Sequence, residues 1–137
     1  MLSVVLDTNV IFSALYSQHN TPPVKILDMV FSKMLIAYIS KPVFDEYADV
    51  LNRKKFEKRI PKEKAAAALS YILSAAKYAI PPTSFFPHFT DETDRKFYDL
   101  AKAADAYLIT GNIKHFPKNN KIITPSDFLK TFLPYEN

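Results

Sequence analysis

No cysteine occurs in this chain, so disulfides, thiolate catalysis and sulfur-ligated zinc are all excluded, as fits a reducing compartment. No apolar run is long enough to span a bilayer, and the first strand pattern starts at Leu2 with no basic segment ahead of it. Neither a membrane span nor a signal peptide is therefore expected, and the expected location is cytoplasmic. Glycine is nearly missing, its one occurrence being Gly111. Internal repeats and low-complexity segments are also lacking. What remains is a chain of 137 residues, 48% hydrophobic, the size of one domain over residues 1–137 with a real core.

The net charge of +4 leans towards polyanions, although an excess this modest is common in proteins that never touch nucleic acid. Its distribution says more. The densest basic stretch is Arg53-Lys54-Lys55-Phe56-Glu57-Lys58-Arg59, followed by Lys62 and Lys64, and a second group comprises Lys114, His115, Lys118 and Lys121. Each group reads either as a solvated helix end or loop, or as a phosphate-binding patch in which Lys54, Lys55 and Lys58 touch a nucleic-acid backbone.

Residues 2–6, 35–39, 106–109 and 121–123 are apolar without strict alternation, the pattern of parallel strands covered on both faces. Helices separate them. Pro22 and Pro23 open one, Ser40 and Pro42 a second, Pro61 an Ala-rich third over residues 64–77, and Thr124-Pro125-Ser126-Asp127 a last one. Residues 78–80 form a candidate further strand. The loop 81–90 carries Phe85, Phe86 and Phe89 and is expected to pack down on the domain. This alternation is that of a doubly wound α/β domain.

Three acids stand apart from the rest. Asp7 ends the apolar run 2–6, where a carboxylate is costly to desolvate without a partner or a purpose. In the helix after Ser40, Val43, Glu46 and Val50 form a stripe at i, i+3 and i+7, which puts Glu46 at the rim of the apolar face, while Asp45 and Asp49 fall on the outer face as ion-pair partners. Asp94, Phe97 and Ala101 repeat the stripe, with Asp99 expected on the solvent side and Asp91 and Glu92 explained by the helix dipole. Ligands of open parallel sheets bind beyond the carboxyl ends of the strands. Asp7 is at such an end, as is Thr110-Gly111-Asn112, where Asn112 either caps the helical turn that follows or points its amide oxygen into the same crevice. A convergent cluster of carboxylates suits magnesium or manganese.

In this order the residues resemble a PIN domain. Asp7-Thr8-Asn9 matches the Asp-Thr-Asn that ends the first strand, Glu46 the Glu on the helix after the second strand, Asp94 the Asp that opens a helix, and Thr110-Gly111-Asn112 the strand-ending Thr-Gly-Asp. The resemblance implies a three-layer α/β/α fold on a five-stranded parallel sheet with the first strand central. It also implies metal-dependent hydrolysis of phosphodiester bonds, usually in RNA. Many small members are the toxin of a toxin–antitoxin pair, commonly homodimeric and silenced by the antitoxin. Asp7, Glu46 and Asp94 would then be catalytic and hold Mg2+ or Mn2+, and hydrolysis by water would leave a 5′-phosphate and a 3′-hydroxyl. Thr8, Asn9, Thr110 and Asn112 would orient the acids or the substrate. Asn112 stands where the family's fourth acid is usual, which removes one negative charge and weakens the case for a second metal ion.

Three other readings are separated by particular residues. A receiver-type signalling domain needs paired acids at the first strand's end and a Lys after the last strand, but Asp7 stands alone and Ile123 leads into Thr124-Pro125. A haloacid-dehalogenase-like phosphatase needs a second Asp where Asn9 stands. A PIN-like module that binds RNA or protein without cutting is kept open by Asn112.

Overall fold

In the computed structural model, which describes residues 1–133, five parallel strands lie in one sheet: β1 (Ser3–Leu6), β2 (Ile36–Ile39), β3 (Lys77–Tyr78), β4 (Tyr107–Ile109) and β5 (Ile122–Ile123). Residues 134–137, within the single-domain span expected from length, lie outside the described residues. The spatial order is β3-β2-β1-β4-β5, so β1 is central, with Val4 opposite Ala37 on one side and Tyr107 on the other. Its residues Val4, Val5 and Leu6 are buried, since β-branched and apolar side chains fill both faces.

Among the described residues six α-helices complete the layers: α1 (Thr8–Tyr16), α2 (Pro22–Phe31), α3 (Lys41–Leu51), α4 (Lys62–Ala75), α5 (Arg95–Ala104) and α6 (Pro125–Phe132). Their starts follow from local chemistry. Ser40 caps α3 by accepting a hydrogen bond from the Val43 N–H at 3.4 Å, and Thr124 caps α6 by accepting from Asp127 at 3.2 Å. Proline occupies the first turn of α2, α3 and α6, where an N–H has no helical acceptor. The first three strands step outward from β1, and the crossover from β3 to β4 returns with α5, which packs on β1, β2 and β4. The three-layer α/β/α architecture results. Among the described residues no helix is long and apolar enough to cross a membrane.

Four expectations need correction. The Ala-rich helix begins at Lys62 and ends at Ala75, because Lys77 and Tyr78 pair with Tyr38 and Ile39 as β3. β3 thus starts before residue 78, and its ladder closes with the Ala79 N–H donating to Ile39 O at 2.9 Å, just ahead of Pro81 and Pro82, which have no N–H to continue it. Of the three loop aromatics only Phe89 is buried, with Phe85 and Phe86 exposed at 85% and 83%. Polar anchors explain this: Arg95 donates to Ser84 Oγ at 3.0 Å and to the Pro87 carbonyl at 2.9 Å, so the backbone is held at both ends of the Phe pair rather than by its rings. Asp99, expected on the solvent side, is only 8% exposed, because the same loop covers it and the Ser84 N–H donates to its carboxylate at 3.2 Å.

Candidate active site

β1 delivers Asp7 to the carboxyl end of the sheet, where its N–H donates to the Ile109 carbonyl at 2.9 Å. Asp7 stands at the N-cap position of α1 without capping it. Its carboxylate accepts instead from Thr110 Oγ1 at 2.8 Å and from Asn9 Nδ2 at 3.2 Å. Asn9 in turn accepts from the Gly111 N–H at 2.9 Å, and Thr110 Oγ1 accepts from the Asn112 N–H at 2.9 Å. The ends of β1 and β4 are thereby sewn together through side chains. Gly111 eases this close approach, since a Cβ there would stand 3.2 Å from Asn9 Oδ1 and the Asn9 side chain would have to give by a few tenths of an ångström.

Glu46, on α3, reaches the same place. The Thr8 hydroxyl donates to one of its carboxylate oxygens, and the Lys96 ammonium lies 2.7 Å from the other. Tyr47, the next residue, is fully buried and donates its hydroxyl to the Leu6 carbonyl, which fixes α3 to the end of β1. Asp94 sits just ahead of α5 in the 3-10 turn Glu92–Asp94, a turn that Asp91 caps by accepting from the Thr93 N–H at 2.9 Å. Its carboxylate lies 3.5 Å from His115 Nδ1.

The electrostatics tie the three acids together. Burial pushes the Asp7 carboxyl above its ordinary value, the Thr110 hydrogen bond offsets part of that, and the charges of Asp94 and Glu46 push it further up. Asp94 is raised as well, by burial first, then by Asp91, and also by Glu46. Asp7 and Asp94 are thus each disfavoured as anions by burial and by neighbouring acids, and all-oxygen donors of this kind match a hard divalent cation. Yet Glu46 is already engaged by Thr8 and Lys96, and among the described residues no three acidic or histidine side chains converge closely enough to hold one ion as they stand. A cation at Glu46 would share that carboxylate with the Lys96 ammonium or displace it.

A crevice of about 270 Å³ opens here, lined by Asp7, Thr8, Asn9, Phe12, Glu46, Val50, Arg53 and Phe56. Asp94 is not in its lining. Lys54, Lys55 and Lys58 are exposed on and after the 3-10 turn Lys54–Phe56, beside the crevice but not in it. Asn112 is exposed, and it occupies the cap position of the turn Ile113–His115 without a side-chain capping bond. Sequence reasoning missed Lys96, the pairing of His115 with Asp94, and the aromatic wall of Phe12 and Phe56. Only the last left a trace, in the helical i, i+4 spacing of Phe12 and Tyr16.

A parallel α/β/α domain with an acidic crevice at the carboxyl end of its central strand is the class of protein this defines. The PIN domain family model matches residues 3–114, and the chain belongs to that family. It is 30% identical to the uncharacterized protein MJ1680 of Methanocaldococcus jannaschii over 96% of this chain and 92% of that protein. Among solved structures it is similar in fold to VapBC2 from Rickettsia felis, determined with a DNA fragment from its promoter, with TM-score 0.57 and 21% identity over 90% of this chain and 97% of that one. PAE2754 from Pyrobaculum aerophilum is similar with TM-score 0.61 and 14% identity over 98% of this chain and 90% of that one.

Proposed function

We propose that this PIN-domain protein is a metal-dependent endoribonuclease, with Asp7, Glu46 and Asp94 as its catalytic and metal-holding residues. The observation that carries the reading is the placement of Asp7 at the end of the central strand, clamped by Thr110 and Asn9, with the adjacent Thr8 holding Glu46 in the same crevice. Bound magnesium or manganese would supply polarisation of the scissile phosphate and acidification of the attacking water. The chain's own residues do the rest. Thr110 and Asn9 orient the Asp7 carboxylate, Thr8 orients Glu46, and Lys96 balances the charge of Glu46 before a cation arrives. Arg53, with Lys54, Lys55 and Lys58 beside it, supplies phosphate affinity without regard to base sequence. The fold likeness to VapBC2 supports the further reading that this is a homodimeric toxin with a cognate antitoxin partner.

A second reading, an RNA-binding PIN module that does not cut, is favoured by Asn112 in place of an acid and by the Lys96–Glu46 pair. A nuclease assay on the purified protein with magnesium and with manganese separates the two, using Asp7→Asn as the blank and Asp45→Ala as the active control. Cleavage by the parent and not by Asp7→Asn supports the enzyme. RNA binding by a parent that cuts with neither metal supports the module.

A further inference from the structure

We propose that the apolar wall of the crevice is a subsite for one unpaired nucleotide beside the scissile bond, its base against Phe12 and Phe56 and its phosphate on Arg53. The inference rests on the nucleic-acid reading above and adds to it the residues of this chain that would receive one base and its phosphate. Hydrolysis of a phosphodiester needs charge and a cation, and neither explains why three of the eight residues lining the crevice are Phe12, Val50 and Phe56. The two rings meet edge to face at 4.5 Å between centroids, and Tyr16 stacks on Phe12 at 5.2 Å. Cations flank the series, with the Lys55 ammonium 5.1 Å over Phe56 and the Arg59 guanidinium 4.2 Å over Tyr16. A row of rings edged by cations and ending at a carboxylate floor fits a ligand that alternates flat apolar faces with anionic links. Single-stranded nucleic acid is that ligand.

The charges around the wall argue the same occupant. Residues 53–59 carry five cations and one acid. Arg53 is now paired with Asp49 at 3.1 Å, both side chains well exposed, and a solvent-exposed pair of this kind is weak, so a phosphate exchanges for it readily. The crevice volume of about 270 Å³ suits one residue of a polymer. A duplex keeps its bases stacked on each other and has no face to offer the rings.

The test uses the full chain carrying Asp7→Asn, which keeps the substrate whole, and a short single-stranded oligoribonucleotide with one 2-aminopurine, alone and annealed to its complement. Quenching of the 2-aminopurine and preference for the single strand are expected. Phe56→Leu keeps an apolar side chain but removes the π face and should weaken single-strand binding roughly five- to 150-fold with the salt slope unchanged. Arg53→Gln should instead lower that slope by about one. Phe56→Leu binding as tightly as Phe56, the result if a protein covers this wall instead, overturns the subsite, as does equal binding of the duplex. Parent cleavage measured in parallel separates the two claims: cutting with an unquenched 2-aminopurine sinks the subsite and leaves the nuclease, and absence of RNA binding sinks both.

Discussion

Replacing Tyr47 by Phe deletes one hydroxyl from the junction between α3 and the end of β1. Burial, and then the charges of Asp7 and Glu46, hold this phenol well above its ordinary value, so it is a neutral donor at every pH the fold tolerates. Its acceptor is the Leu6 carbonyl, one residue before Asp7, while its own backbone neighbour is Glu46. The ring keeps its contacts with Phe44 and Phe97, at 6.4 and 6.5 Å between centroids, so the loss is confined to the hydrogen bond. A hydrogen bond of this kind is worth about 0.5–1.5 kcal/mol net, and a buried carbonyl left without its donor raises the cost to about 1–3 kcal/mol. Urea denaturation of the metal-free protein should therefore show a lower midpoint at an unchanged m-value. Tyr71→Phe, at an exposed position, should stay within about 0.5 kcal/mol of the parent. Because the bond ties Glu46 to Asp7, manganese affinity should fall as well. A Tyr47→Phe stability within about 0.5 kcal/mol of the parent would refute the view that this hydroxyl carries the junction.

Asp7 has a folded-state pKa above its unfolded one, so the native state binds the extra proton, and metal-free stability should fall as pH rises through that window and stay lower at neutral pH. Asp7→Asn removes this loss, and a parent that gains stability over Asp7→Asn as pH rises contradicts the assignment. Lys96→Met keeps the apolar stem but takes the ammonium from Glu46, so metal-free stability should drop by about 1 kcal/mol while manganese binds several-fold more tightly by calorimetry. Weaker manganese binding by that variant would mean that Lys96 assists the ion rather than competing with it. Asn112→Asp should tighten manganese binding if the side chain comes within reach of the ion, and equal affinities place it outside.

Strands buried on both faces announce themselves by composition, which is why β1, β2, β4 and β5 were legible to within a residue or two. The i, i+3, i+7 stripe likewise set Glu46 at the rim of α3, where it is half-buried, whereas α5 begins at Arg95 and leaves Asp94, also half-buried, in the 3-10 turn ahead of it. Periodicity describes a helix against its own sheet and knows nothing of what else covers it. Asp99 was therefore placed in solvent although the loop anchored by Arg95 lies over it. The same limit hid Lys96, whose partner Glu46 is on another helix, and the contact of Phe12 with Phe56, which no local spacing encodes. The central place of β1 came from family resemblance, since apolar strand patterns carry no information on their order in a sheet.

The clamp on Asp7 also has a meaning in time. Thr110, which donates to that carboxylate, lies 103 residues further along the chain, and its own N–H donates to the Ile123 carbonyl of β5. Contacts of such separation cost loop-closure entropy before they return anything, and they form late. A nascent chain thus presents Asp7, Thr8 and Glu46 long before the two strands that complete the crevice have been synthesised. On the nuclease reading proposed above, the clamp on Asp7 would stay open until Thr110 and the β5 residue that holds it had both been made.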